Sequence, residues 1–227
     1  MIFDVLTIFP EIIRGLLSKG IIAQARKTGK IKLGIWDLRD FARGPHSNVD
    51  DRPYGGGPGM VMKPEPFYRG VRTIKAGRGG GRVILLTSRG KVINQDKFEE
   101  LADAKNLILL AGRYEGVDER VGKLCDERLS LGDFVLSGGE IPAAAVIEGV
   151  SRLTDGVLGN EKSARTDSFS RDGALGPPQY TRPREFEGMK VPDVLLSGDH
   201  EKIASFREKQ AQADTRKLRP DLLEEEE

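Results

Sequence analysis

Along this chain, short apolar runs alternate with stretches whose apolar residues recur every three or four positions. Ile2–Phe9, rich in Ile, Val and Phe, and Ile31–Trp36 predict strands. Val83–Leu86 and Leu107–Leu110 are continuous apolar runs of the kind found in sheets covered on both faces. Phe134–Leu136 predicts a further short strand. Between these, Pro10 can open a helix because the first helical turn has no use for its missing N–H, and Ile12, Ile13, Leu16 and Leu17 give that helix an apolar stripe. Asn94 can cap a helix that turns Phe98 and Leu101 inward, and Pro142–Leu153 predicts another. Strands alternating with helices imply an α/β fold with a mostly parallel sheet. The pattern lapses after about Gly159. Asn160–Pro178 carries Ser, Thr, Asp, Gly and a proline pair without apolar periodicity, which predicts a flexible linker or lid. Helical spacing returns from Asp199 to about Lys217, with Ile203, Phe206 and Ala213 among many charges. The expected organisation is therefore a first domain over 1–159, a linker over 160–178 and a small helical domain over 179–227.

Composition adds limits rather than identity. At 227 residues the chain can bury a sizeable core, and 38% hydrophobic with 31% charged residues is a globular composition. No apolar run reaches the roughly 18–20 residues that span a bilayer. The opening residues lack the basic start and small-residue cleavage site of a signal peptide. Cys125 is the sole cysteine, so no internal disulfide can form, which suits a reducing cytoplasm, the expected compartment. Net charge is +1, yet Arg69, Arg72, Lys75, Arg78, Arg82, Arg89 and Lys91 follow one another with no acid between, offset by Glu224–Glu227 at the far end. A polyanion would feel such a stretch; an ordinary solvated face is the plainer reading of it.

Candidate chemistry gathers at glycine-bearing loops. Tyr54-Gly55-Gly56-Gly57-Pro58-Gly59-Met60 is too glycine-dense for a helix or strand. Thr87-Ser88-Arg89-Gly90, Gly112-Arg113-Tyr114-Glu115-Gly116 and Ser137-Gly138-Gly139-Glu140 each follow a predicted strand. Open α/β sheets bind small ligands at the carboxyl ends of their strands. The ligand is not a dinucleotide or triphosphate, for no G-x-G-x-x-G follows the first strand and no G-x-x-x-x-G-K-[ST] exists. One cysteine with His46 and His200 makes no zinc site, and the G-x-S-x-G of hydrolases is missing. A small cofactor without phosphate groups, such as S-adenosylmethionine, is left.

Six segments then carry a specific likeness. Asp50-Asp51-Arg52-Pro53 leading into the first glycine loop, Gly112–Arg120 and Leu131–Glu140 resemble the bacterial tRNA (guanine-N1)-methyltransferase family, and Gly156–Gly159, Asp167-Ser168-Phe169 and Tyr180-Thr181-Arg182-Pro183 match later family segments in the same order. The likeness runs from the first strand to about Ser197. It implies a SPOUT fold, an α/β domain with a deep trefoil knot in its carboxyl half, followed by a small helical domain. It also implies a homodimer with a shared active site and S-adenosylmethionine as methyl donor. Carried over, cofactor contacts fall on Leu86, Thr87, Gly112, Ser130, Leu131, Gly132, Asp133, Phe134, Val135, Leu136, Gly138, Gly139 and Pro142, with Tyr114, Glu115 and Gly116 near the methionine end. Contacts to the tRNA are expected from His46, Asp50, Arg52, Tyr54 and Gly59, which would hold the target guanine and its neighbour. Backbone phosphates would meet the basic stretch together with Arg182, Arg207 and Lys209. The family has a magnesium requirement, which suggests Glu115 as a contact, though no ligand spacing shows a metal site. Ser88-Arg89 stands where the family commonly has Pro-Gln, and Gln179 where a His is common.

The implied reaction transfers a methyl group to N1 of the guanine immediately 3′ of the anticodon. That nitrogen carries a proton, so a base must remove it and the charge reaching O6 must be stabilised. The likeness assigns the base to Asp167 and the stabiliser to Arg152. A carboxylate suits the first role if burial raises its pKa, and a permanently cationic guanidinium suits the second. Away from the likeness, Arg152 reads as a helix-end ion-pair partner and Asp167 as a loop or helix cap. Competing readings are a knotted methyltransferase acting on another RNA, which would not need Asp167, and a non-catalytic RNA-binding relative, which would be expected to have lost Arg152, Asp167 or a cofactor glycine.

Overall fold

The computed structural model describes residues 1–44, 47–158, 167–169 and 174–223. The chain divides into two compact units, Met1–Gly159 and Asn160–Glu227.

The first unit is built on five parallel strands, β1 (Ile2–Thr7), β2 (Lys32–Asp37), β5 (Arg82–Val92), β6 (Asn106–Ala111) and β7 (Glu127–Ser130), in the order β2-β1-β6-β5-β7. Parallel strands need long crossovers, and helices supply them. α1 (Pro10–Leu16) and α2 (Gly20–Lys27) join β1 to β2; α3 (Pro64–Arg78) leads into β5; α4 (Gln95–Ala102) joins β5 to β6; α5 (Glu140–Arg152) follows β7. A short antiparallel pair, β3 (Asp50–Asp51) and β4 (Val61–Met62), stands apart from the sheet.

Successive residues of a strand point to opposite faces, and both faces here are covered. Phe3, Val5, Ile84, Leu107 and Leu109 lie with Ile13, Leu101, Val146 and Val150 in one buried cluster; Leu6, Val83, Leu85, Ile108 and Leu110 lie with Phe67, Val71 and Ile74 in the other. This double cover is why β6 is buried along its whole length. Asp4 is a charged residue buried among them. Its fully buried carboxylate accepts from Arg78 Nε and Nη2, both at 3.0 Å, and from Trp36 Nε1 at 2.8 Å, which ties the end of α3 to the sheet.

Most predicted elements form, with shifted ends. Pro10 begins α1, the Asn94 side chain accepts from Lys97 N at 2.9 Å to cap α4, and β1 stops at Thr7. Phe134–Leu136 is not a strand. Val135 is 90% exposed and Phe134 54%, so the run buries too little to join the sheet. The last strand is instead Glu127–Ser130, whose charges hide it from an apolar reading: Glu127 is held by Arg82 and Lys97, and Arg128 by Glu119, while Leu129 and Ser130 are buried. The loop expected at Thr87–Gly90 lies inside β5. Leu86 and Lys91 both pair with Leu129, so residues 87–90 leave the ladder and rejoin it. Helix α3 occupies much of the basic stretch and divides its cations: Arg69 donates to Phe41 O, Arg78 to Asp4, and Arg89 to Glu119, so they do not form one free face.

In the second unit, α6 (His200–Leu218) is capped by Asp199, which accepts from Lys202 N at 3.1 Å. It is preceded by a hairpin of β8 (Glu185–Phe186) and β9 (Met189–Lys190), absent from the periodicity. Of the expected linker, 160–166 and 170–173 lie outside the described residues. Its described parts are bonded within this unit: Leu175 N donates to Thr215 Oγ1 at 3.1 Å and Gly176 N to Ser168 Oγ at 2.9 Å. The acidic end, 224–227, also lies outside the described residues.

Candidate active site

The carboxyl ends of β5, β6 and β7 open into a cleft of about 310 Å³. Three chain segments wall it: the excursion at 87–89, residues 112–117 after β6, and residues 130–139 after β7, with Pro142 from the first turn of α5. Every residue carried over as a cofactor contact lines this cleft except Asp133. Leu85, Ser88, Arg89, Arg113, Val117, Glu119, Arg128, Leu129 and Ser137 line it as well; Ser88, Arg89, Arg113, Val117, Glu119 and Ser137 stand within the quoted loops and motifs, while Leu85, Arg128 and Leu129 lie outside them. Arg128 and Leu129 belong to Glu127–Ser130, which was hidden by its charge, and Leu85 is the neighbour of Leu86.

The walls are stitched by backbone. Gly139 N donates to Gly112 O at 2.9 Å, and Arg113 bridges Gly138 in antiparallel fashion. A Cβ on Gly139 would stand 2.7 Å from Ala111 Cα, so only glycine lets these two segments touch. On the other side, Met62 N donates to Gly116 O at 2.9 Å, Glu115 N to Met60 O at 3.0 Å and Asp118 N to Met62 O at 2.9 Å. The β3–β4 hairpin is thereby fixed to the cleft wall, and its tip is the first glycine loop. Gly59, at φ +76°, lies so close to Glu115 that a Cβ would meet Glu115 Oε1 at 2.5 Å. Tyr114 takes φ 62°, an uncommon backbone conformation for a side chain of its size and one that clusters at functional sites. At the cleft edge, the Arg128 guanidinium beside Glu119 holds its carboxyl below the usual carboxylate range.

Of the residues expected to hold tRNA, Asp50 sits in β3 and Gly59 touches the cleft wall, while Tyr54 is fully exposed and Arg52 exposed at the hairpin. His46 lies outside the described residues. Arg152 closes α5, whose first turn lines the cleft; at 1.5 Å per residue the two ends of that helix are about 18 Å apart. Arg152 is thus not part of the cleft wall of its own chain. Asp167 belongs to the second unit and is exposed. Among the described residues no three or more His, Cys, Asp or Glu side chains are grouped to hold a metal, and no helix is long and apolar enough to cross a membrane.

The chain is similar to known proteins over nearly its whole length. The family described as tRNA (Guanine-1)-methyltransferase TrmD matches residues 1–225. A relative from Dictyoglomus turgidum, named tRNA (guanine-N(1)-)-methyltransferase, is 51% identical over 221 residues, covering 97% of this chain and 89% of its own. Relatives of the same name from Geobacillus kaustophilus and Moorella thermoacetica are 49% and 51% identical, covering 99% and 97% of this chain and 92% and 89% of their own.

Proposed function

This chain belongs to the tRNA (guanine-1)-methyltransferase family, and from that premise we propose that its cleft holds S-adenosylmethionine and serves methyl transfer to N1 of the guanine immediately 3′ of the anticodon. The observation that carries this reading is the cleft itself. Three loops, drawn from distant parts of the sequence, meet around a space of about 310 Å³, two of them joined by the hydrogen bond from Gly139 N to Gly112 O. The donor set fits the cofactor. Leu86, Phe134, Leu136 and Pro142 supply apolar surface for an adenine, and glycines expose backbone donors and acceptors to its edge. No phosphate-binding loop is present, and the cofactor has no phosphate. When bound, it supplies an electrophilic methyl group.

The protein's part is to bind, orient and move one proton. Asp167 takes the proton from guanine N1, and Arg152 stabilises the charge that reaches O6. Since Arg152 stands about 18 Å along α5 from its own cleft, two copies complete each site, with Arg152 and Asp167 serving the cleft of the partner. The chain leaves β7 at the sheet edge and returns to Gly112 before entering α5, a path that fits the trefoil knot of the SPOUT class. The target guanine must leave its stack to reach the cleft. Asp50, Arg52, Tyr54 and Gly59 of the β3–β4 hairpin would hold it together with His46, and Glu115 on the cleft wall would be the contact for a magnesium ion. Asn160–Pro178 serves as a lid over the site, and Arg182, Arg207 and Lys209 of the second unit meet tRNA phosphates.

Methyl-labelled S-adenosylmethionine, magnesium and two tRNA transcripts, bearing guanine or adenine 3′ of the anticodon, test the proposal. Label is expected in the guanine transcript alone, with Asp167→Ala lowering the rate by about 10²–10⁴-fold. Label in neither transcript, with cofactor still bound, would point to another RNA substrate or to a non-catalytic relative.

A further inference from the structure

One buried charge in the first unit has no part in the chemistry above. Glu140 is the first residue of α5 and is 1% exposed. Its Oε1 accepts from Thr7 Oγ1 at 2.6 Å, and its Oε2 accepts from Arg113 Nε at 3.0 Å. Thr7 is the last residue of β1, and its hydroxyl also accepts from Phe9 N at 2.9 Å. Arg113 lies between Gly112 and Tyr114, with its guanidinium 4.7 Å from the Phe9 ring centroid, its Nη1 3.4 Å from Ser137 Oγ, and its own N–H directed at Met62 Sδ at 3.0 Å. Three segments far apart in sequence therefore meet at one carboxylate: the end of β1, the wall after β6 and the wall before α5.

Stability alone is a poor account of this arrangement. Taking a carboxylate and a guanidinium out of water costs several kcal/mol per ion, and apolar residues of similar volume often serve stability as well or better. What an apolar cluster cannot supply is a fixed hydrogen-bond geometry. The N-terminus of α5 favours a negative charge at Glu140, and the planar fork of Arg113 fixes the angle at which the second wall meets it. Both joined walls line the cleft, and Arg113 itself faces it.

We infer that Glu140, acting through Arg113 and Thr7, is a positioning residue that holds the Gly112–Gly116 and Ser137–Gly139 walls at the separation the cofactor requires. The inference rests on the cofactor reading of the cleft. A misplacement of about 1 Å at such a wall can cost about 10²-fold in function, so the network should act on cofactor affinity rather than on tRNA affinity.

Binding of S-adenosylhomocysteine by calorimetry, tRNA affinity by filter binding and the urea midpoint are measured for the wild type and for Glu140→Gln, Arg113→Lys and their combination. Each single variant is expected to weaken S-adenosylhomocysteine by roughly 10–100-fold with tRNA affinity unchanged, and the double variant to be no weaker than the worse single one, since both break the same link. Thr7→Val, which keeps the side-chain shape and removes only the hydroxyl, should weaken binding by a few fold and covers the case in which Glu140→Gln does not fold. Wild-type cofactor affinity in Glu140→Gln and Thr7→Val alongside a lowered urea midpoint would overturn the positioning role. Additive losses in the double variant would overturn the link between Glu140 and Arg113. No S-adenosylhomocysteine binding by the wild type would instead overturn the cofactor reading, and the inference with it.

Discussion

Cys125, just before β7, is half-buried, and burial pushes its thiol from 9.0 up to about 11. A thiol reacts through its thiolate, so at pH 8 the native protein should be alkylated about 100-fold more slowly than the urea-unfolded chain; mass spectrometry of iodoacetamide-treated samples measures both rates. A second residue carries a pH signature. Lys97, then Arg82, hold the Glu100 carboxyl down to about 2 from 4.5. A depressed carboxylate contributes stability that is present above its unfolded pKa and lost as pH falls through the folded one. Glu100→Gln should therefore flatten the part of the acid limb between pH 4.5 and about 2, seen in urea midpoints taken across that range. The exposure of this carboxylate keeps the effect small.

At the scale of elements, the joint between α3 and β1 is the clearest place to test the fold. Arg78→Ala would leave the Asp4 carboxylate buried with only Trp36 as donor, and breaking a buried pair from one side costs about 3 kcal/mol or more. Urea titration should show that loss, and Asp4→Asn, which removes the charge together with the pair, should cost less. Elements also differ in how openly the sequence declares them. The Pro10 start of α1 and the Asn94 cap of α4 act through neighbours in sequence and are legible there, whereas Leu16 of the expected α1 stripe is exposed. β7 is not, because Glu127 and Arg128 find their counter-charges on Arg82, Lys97 and Glu119, residues that only the folded chain brings near. Phe134–Leu136 misleads for the converse reason. Its three apolar side chains look like a strand, yet they rim a cleft and remain largely exposed.

At the scale of the molecule, the cleft couples binding to stability. S-adenosylhomocysteine at about 100 times its Kd should raise the unfolding free energy by about 2.7 kcal/mol, and a thermal melt with and without it measures the shift; no shift at any concentration would sink the cofactor assignment. The sequence by itself determined the alternation of strands and helices, the parallel class of the sheet, the break near residue 159 and the chemical types gathered in the glycine loops. Those follow from local rules of spacing, capping and turn formation. Tertiary structure alone decided the strand order, the excursion inside β5 and the burial of Glu140 against Thr7 and Arg113. The physical reason is that hydrogen bonds and ion pairs between residues as distant as Thr7 and Glu140 are formed only once both faces of the sheet are covered, and no periodicity along the chain records which segments will meet.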